Sequence, residues 1–179
     1  MTENAAAASV STPLPAATPV AVLGAGSFGT ALAIQLARRG SRTRLWGRDV
    51  TAMQDAERTR RNPRYLTDCE FPATLVATAD LDAALRDAQD IIIATPSHAL
   101  RGTLETLKPR LGDGDGARQG VVIACKGFEP GTGKLSHEVA ADVLGPMRVR
   151  PQRHPLAPHL AVPAQDLDSR RQHRCPPAK

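Results

Sequence analysis

Three glycines near the start of the chain have a spacing that suits phosphate binding. Gly24, Gly26 and Gly29 follow an apolar run that begins at Val20, and the residues after them have helical spacing. In such a strand, turn and helix, the first glycine permits the tight turn and the second lets the backbone approach a pyrophosphate. The third lets the helix pack closely on the strand, and the N–H groups of the first helical turn face the phosphates. The motif predicts that Gly24, Gly26 and Gly29 bind a dinucleotide.

Two charged residues after the second predicted strand compete for the ribose of that dinucleotide. Arg48 and Asp49 follow residues 42–46, whose carboxyl end is where the adenosine ribose lies in this kind of fold. A carboxylate there accepts hydrogen bonds from the free 2′-OH of NAD, whereas a guanidinium pairs with the 2′-phosphate of NADP. Arg48 is the predicted contact because it follows the strand end more closely. Two solvated loop charges are the alternative.

Three further side chains come after predicted strands or in a neighbouring loop. Pro96 follows strand 90–94, and with its neighbours Thr95, Ser97 and His98 it is placed to line a cofactor cleft at the carboxyl edge of the sheet. Lys126 follows the last predicted strand and would project over the cleft, where a phosphate or a carbonyl substrate could sit. Tyr65, the only tyrosine, either lies against the adenine or covers the sheet edge.

Strand patterns and helix patterns alternate along the chain, and the elements they predict must position these side chains. They predict an α/β fold, a Rossmann-type doubly wound parallel sheet of about five strands, with Ser97 capping the fourth helix. Strands are predicted at 20–23, 42–46, 71–78, 90–94 and 121–125, and helices at 27–39, 50–61, 80–89, 99–110 and 135–144.

Charge and cysteine content exclude several functions. The formal net charge is +5, but seven basic and only two acidic residues lie from Arg148 onward, so the rest of the chain is neutral and nucleic acid is not an expected partner. The three cysteines form no C-x-x-C pair, which argues against a zinc site or a secreted disulfide framework and favours the cytoplasm. No apolar run reaches the roughly 20 residues of a membrane span, so a membrane is not an expected partner either.

Both ends of the chain differ in composition from its middle. Residues 1–19 are rich in Ala, Ser, Thr and Pro, which predicts a disordered N-terminal extension. Residues 147–179 combine basic residues with repeated prolines and lack a periodic apolar face, which predicts a disordered basic, Pro-rich tail. The predicted dinucleotide-binding domain is therefore 20–146.

Five motifs in order resemble the bacterial-type NAD(P)-dependent glycerol-3-phosphate dehydrogenases. The resemblance covers residues 20–144 and is much more specific than the glycine motif alone. It rests on Gly-Ala-Gly-Ser-Phe-Gly-Thr-Ala (24–31), Leu-Trp-Gly-Arg-Asp (45–49), Asn-Pro-Arg-Tyr-Leu (62–66), Thr-Pro-Ser-His-Ala-Leu-Arg (95–101) and Cys-Lys-Gly-Phe-Glu-Pro-Gly-Thr-Gly-Lys-Leu (125–135).

The resemblance implies a cofactor, a reaction and the residues that serve them. It implies that Ser27, Phe28, Arg48 and Tyr65 contact NAD(P), and that Lys126 reaches both the cofactor and the glycerol phosphate. The implied reaction is hydride exchange between NAD(P)H and dihydroxyacetone phosphate, which gives sn-glycerol 3-phosphate for phospholipid synthesis.

The resemblance stops near residue 146. Members of the family continue with a strand, a Ser-Gly-Pro turn and a helical domain that carries the catalytic lysine and most substrate contacts. Nothing after Leu144 matches these features, so no catalytic residue is predicted in this chain. The working hypothesis is a truncated or frame-shifted product that is catalytically incomplete. A non-catalytic dinucleotide-binding module is the alternative, and the oligomeric state is left open.

Overall fold

Short apolar runs form the centre of a five-stranded sheet, and helices connect them. The computed structural model describes residues 18–111 and 119–145. The strands are β1 (Val20–Leu23), β2 (Thr43–Trp46), β3 (Arg61–Asn62), β4 (Leu66–Glu70), β5 (Leu75–Thr78), β6 (Asp90–Ile93) and β7 (Gly120–Ile123). The helices are α1 (Ser27–Arg38), α2 (Val50–Thr59), α3 (Leu81–Leu85), α4 (Ser97–Leu107), which continues into a 3-10 turn (Lys108–Arg110), and α5 (Ser136–Leu144).

All strands of the main sheet are parallel, in the order β5-β2-β1-β6-β7. Val22 of the central strand pairs with Leu45 on one side and with Ile92 on the other. The connections reverse direction between β1 and β6, which makes the carboxyl end of these two strands the topological switch point. A ligand cleft is expected there.

Successive residues of the central strands face opposite sides of the sheet, so each side has its own core. Ala21 and Leu23 pack with α3, α4 and α5, whereas Val20 and Val22 pack with α1 and α2. All four residues are at most 1% exposed. Such continuous burial is typical of a parallel sheet covered on both faces. The predicted doubly wound α/β fold is confirmed.

The chain between α2 and β5 differs from the sequence prediction. Helix α2 ends at Thr59 rather than at residue 61, and the predicted strand over 71–78 is confined to Leu75–Thr78. Strands β3 and β4 form an antiparallel hairpin that the sequence analysis did not predict. The physical reason is Arg60, which adopts a left-handed conformation (φ 53°) and turns the chain out of the helix.

Two smaller predictions about helices were also wrong. Helix α3 covers only Leu81–Leu85, because Arg86 takes an extended conformation directly after it. Ser97 is the first residue of α4 rather than its cap, since Pro96 occupies the N-cap position with an extended backbone and no side chain caps the helix.

Both predicted tails lie largely or wholly outside the described residues. The extension over 1–19 is described only at its last two positions, and the tail over 147–179 is not described. Within the described ranges, none of the helices has the length and apolar character needed to cross a membrane.

Candidate functional site

The glycine turn between β1 and α1 has no room for side chains at two of its three motif positions. Gly24 has a φ of 122°, and a Cβ atom there would lie 2.7 Å from the carbonyl oxygen of Ala94. A Cβ atom on Gly29 would lie 1.9 Å from the carbonyl oxygen of Gly24. These two glycines therefore allow the turn to form and α1 to pack against the end of β1.

Gly26 differs from its neighbours, because a Cβ atom there would meet nothing within 4 Å. It is the N-cap of α1, and no side chain accepts hydrogen bonds from the first turn of that helix. The first N–H groups of a helix have no partner inside the helix, and the helix dipole gives this end a partial positive charge. Open space in front of uncapped amides fits the pyrophosphate of a dinucleotide.

A cleft of about 610 Å³ opens at the carboxyl ends of β1, β2, β6 and β7. It brings together eight of the nine residues predicted to bind the cofactor, and the ninth, Gly29, is buried and does not line the cleft. Thr95 also lies in the wall, whereas Ser97 and His98 do not. The eight residues are Gly24, Gly26, Ser27, Phe28, Arg48, Tyr65, Pro96 and Lys126.

Arg48 and Asp49 both line the cleft, but their side chains are not equally available. An oxygen of the Asp49 carboxylate accepts a hydrogen bond from the Ala52 N–H at 3.0 Å and so caps α2. Arg48 is exposed, and in the described part of the chain its guanidinium has no hydrogen-bond or ion-pair partner. Of the two, Arg48 is the one free to contact a ligand.

Lys126 lies in the loop after β7, on the opposite side of the glycine turn from Arg48. Its ammonium nitrogen lies 5.6 Å from the centre of the Phe28 ring, and both residues are exposed at the cleft. The same loop carries Glu129, whose carboxylate receives two hydrogen bonds from Arg101 of α4, at 2.7 and 2.9 Å. This bidentate pair anchors the loop to the body of the domain.

A second ion pair attaches the far end of that loop to α5. Lys134 donates to Asp142, and Arg101 also reaches Asp142 at 3.3 Å. The hydrogen bonds from Arg101 lower the pKa of Glu129 to about 2, with a further contribution from Thr132. The Lys134 hydrogen bond similarly lowers the pKa of Asp142. The Glu129 and Asp142 carboxylates therefore stay charged at neutral pH, and their ion pairs hold the loop after β7 to α4 and α5.

Cys125 is half-buried in the cleft wall, just past the end of β7 rather than within the strand. Burial raises the pKa of its thiol, and the contact with the Thr95 hydroxyl, 3.8 Å away, only partly opposes this. A thiol with a raised pKa is a poor nucleophile. Across residues 18–111 and 119–145, no group of three or more His, Cys, Asp or Glu side chains is arranged to hold a metal ion.

The unpredicted hairpin supplies one wall of the cleft. Asn62, Arg64 and Tyr65 line it, and the Arg64 guanidinium lies 5.3 Å from the centre of the Tyr65 ring. From the sequence, Asn62 and Arg64 belonged to one of the five motifs, but only Tyr65 of that motif was predicted to contact the cofactor. The available signal was the position of Asn-Pro-Arg-Tyr-Leu among the five motifs, which marks this segment as more than a surface loop.

The parallel sheet, its switch point and the glycine turn define a dinucleotide-binding domain of the Rossmann type. Residues 19–150 match the family described as NAD-dependent glycerol-3-phosphate dehydrogenase N-terminus. The chain therefore belongs to this family, and it contains the coenzyme-binding domain of an NAD(P)-dependent dehydrogenase.

Individual relatives agree with this assignment. The chain is 50% identical over 127 residues to glycerol-3-phosphate dehydrogenase (NAD(P)+) of Xanthomonas euvesicatoria pv. vesicatoria, which covers 71% of this chain and 36% of the relative. It is 49% identical over 126 residues to the Stenotrophomonas maltophilia K279a enzyme of the same name, covering 70% and 36%. The crystal structure of glycerol-3-phosphate dehydrogenase from Coxiella burnetii superimposes with a TM-score of 0.66 at 40% identity, covering 73% and 39%. The chain thus spans about a third of the length of these relatives.

Proposed function

We propose that the described domain binds NAD(P) in the cleft, with the pyrophosphate over the amides of Ser27 and Phe28. The observation that carries this proposal is the open space at Gly26, in front of an uncapped helix at the switch point of the sheet. Anions bind favourably at such a site because the amides and the helix dipole act together.

The remaining residues of the cleft are assigned by their positions around this pyrophosphate. Arg48 binds the 2′-phosphate when the coenzyme is NADP, since its guanidinium has no partner among the described residues. Tyr65 packs against the adenine, and Pro96 lines the wall at the end of β6. Lys126 contacts both the coenzyme and a phosphorylated substrate, because it projects over the opposite side of the cleft.

The reaction to which this domain contributes is the interconversion of sn-glycerol 3-phosphate and dihydroxyacetone phosphate, in the cytoplasm, for phospholipid precursor synthesis. The bound coenzyme supplies or accepts the hydride. The domain binds and orients the coenzyme, and Lys126 attracts the anionic substrate toward it. A complete reaction also needs a proton donor for the developing alkoxide and groups that orient the substrate.

A second candidate is a non-catalytic dinucleotide-binding module, and the state of the cleft favours it for this domain on its own. The Asp49 carboxylate caps α2, and the Cys125 thiol donates toward the carbonyl oxygen of Ile93, 3.6 Å from the sulfur. Neither is placed as a proton donor beside a substrate. We therefore expect the domain to bind coenzyme and to leave dihydroxyacetone phosphate unreduced.

Two measurements on the purified chain test these proposals. NADPH and NADH are titrated by coenzyme fluorescence, and NADPH oxidation is followed with dihydroxyacetone phosphate. Binding without oxidation supports the module, whereas binding with oxidation supports a complete dehydrogenase. If a folded protein binds neither coenzyme, both proposals fail.

A further inference from the structure

A buried asparagine in the cleft wall makes several hydrogen bonds and has no assigned role in coenzyme binding. Asn62 is 3% exposed and ends the short strand β3. Buried polar side chains reduce stability unless their hydrogen bonds are made. Its partners therefore indicate why this position holds an amide.

All four hydrogen-bonding positions of the Asn62 amide are used. Its nitrogen donates to the carbonyl oxygen of Ala25 at 3.0 Å and to the hydroxyl of Thr30 at 2.8 Å. Its oxygen accepts from the backbone N–H groups of Arg64 at 3.2 Å and Tyr65 at 3.3 Å. An amide has two donor protons and two acceptor positions, so no other neutral side chain of this size satisfies the same four groups.

The two donated hydrogen bonds connect the hairpin to the glycine turn and to α1, and the two accepted ones order the hairpin turn itself. Ala25 lies inside the glycine turn, between the two glycines that shape the space for the pyrophosphate. Arg64 and Tyr65 lie on the hairpin wall. Because the hairpin is not part of the main sheet, no strand pairing fixes its distance from the glycine turn.

We propose that Asn62 is a positioning residue that fixes the spacing between the pyrophosphate site and the Arg64–Tyr65 wall. The proposal rests on the proposed binding of NAD(P) in this cleft. A dinucleotide that spans both sides binds more tightly when their spacing is set in advance, because less ordering is left for the binding step. A mononucleotide that contacts only the adenosine side gains nothing from that spacing.

Two substitutions break the connection in different ways. Asn62→Ser keeps a hydroxyl that accepts from the next residues of the turn, but it is too short to reach Ala25 and Thr30. Asn62→Asp keeps the shape and the acceptor oxygen, but it has no proton to donate to the Ala25 carbonyl. Asn62→Asp also adds a negative charge near the phosphates, so Asn62→Ser provides the uncharged comparison. If one of the two variants fails to fold, the other still tests the proposal.

The experiment compares NADPH with adenosine 2′-monophosphate, each titrated against the full chain at a temperature well below unfolding. For Asn62→Ser we expect the NADPH dissociation constant to rise about tenfold, as for loss of one or two hydrogen bonds. We expect the adenosine 2′-monophosphate constant to change by less than about threefold. Val143→Ala, which removes buried volume from α5 at a position that does not line the cleft, is the destabilised control and should leave both constants unchanged.

The outcomes separate this inference from the proposed function. If the wild-type chain binds NADPH and Asn62→Ser binds it equally well, the inference is overturned while coenzyme binding stands. An equal loss of affinity for NADPH and for adenosine 2′-monophosphate also overturns it. Such a result would mean that the substitution damages the adenosine site itself and not its spacing from the pyrophosphate site. If the folded wild-type chain does not bind NADPH, the proposed function fails and this inference fails with it.

Discussion

The Lys126 ammonium faces the ring of Phe28, with 5.6 Å between the nitrogen and the ring centre. This contact joins the loop after β7 to the first turn of α1, two parts of the chain that are distant in sequence and that both line the cleft. Both side chains are exposed, and a cation–π contact at an exposed site contributes only about 0.5 to 1 kcal/mol. The ammonium therefore remains available to an anionic ligand.

Replacing Lys126 tests its assigned role. Lys126→Met keeps most of the side-chain volume and the contact with Phe28, but it removes the positive charge. We expect the NADPH dissociation constant to rise about tenfold, the usual effect of losing one charge-assisted hydrogen bond. Lys108→Met removes an exposed lysine away from the cleft and should leave the constant unchanged. Equal effects of the two substitutions would show that only net charge matters.

The glycines of the turn should separate into structural and binding positions. Gly29→Ala places a methyl group against the Gly24 carbonyl, and we expect it to lower the free energy of unfolding by about 3 kcal/mol or more, despite the better helix propensity of alanine. Gly26→Ala meets open space and an extended backbone, so it should cost less than about 1 kcal/mol as a weaker N-cap.

Coenzyme binding, unlike stability, should respond strongly to the substitution of Gly26. Its added methyl group occupies the space assigned to the pyrophosphate, so Gly26→Ala should weaken NADPH binding at least about tenfold while the protein stays folded. Urea unfolding and fluorescence titration of the same samples provide both quantities. Unaltered NADPH affinity in folded Gly26→Ala would place the pyrophosphate elsewhere.

Arg48 and Asp49 should also have separable effects. Arg48→Ala is expected to raise the NADPH dissociation constant at least about tenfold and to change the NADH constant less than about twofold, because only NADPH carries the 2′-phosphate. Asp49→Ala should instead lower stability by about 1 kcal/mol through the lost cap of α2, and Asp49→Asn, which can still cap, should restore it. A parallel loss of NADPH and NADH affinity in Arg48→Ala would rule out a 2′-phosphate contact.

Local sequence patterns were sufficient for the sheet and for the glycine turn. The central strands are apolar runs, and the order of strands and helices leaves few topologies for a parallel sheet. Gly24 and Gly29 could be interpreted correctly because their roles depend on neighbours within the same turn and on the adjacent strand. The position of the cleft could be predicted because ligands bind at the carboxyl ends of the strands in such sheets.

The hairpin wall could not be predicted because it depends on contacts between distant residues. Arg60 leaves the helix in a left-handed conformation, and its guanidinium donates to Glu57 at 2.6 Å and to the carbonyls of Pro72 and Leu75 at 2.9 and 2.7 Å. No local propensity favours that conformation for an arginine. Asn62 likewise depends on Ala25 and Thr30, which only the folded chain brings near it.

The Arg101–Glu129 pair should make stability depend on pH in acid. Folding lowers the pKa of Glu129 from 4.5 to about 2, so the folded state favours its charged form. The stabilisation is complete above pH 4.5 and is lost as the pH falls toward 2. Arg101→Met removes the cause of the shift, so its free energy of unfolding should decline less than that of the wild type over this range. Urea unfolding between pH 6 and pH 3 measures both curves.

A matched ion pair elsewhere provides the control for this pH dependence. Arg58 and Asp55 pair at 3.1 Å on α2 with side chains 73% and 47% exposed, where solvent screens the charges. Arg58→Met should therefore follow the wild-type curve in parallel. Because Glu129 anchors the loop that carries Lys126, Arg101→Met should also weaken NADPH binding at neutral pH, where Arg58→Met should not. If both variants lose stability in acid as steeply as the wild type, the Arg101–Glu129 pair does not govern this transition.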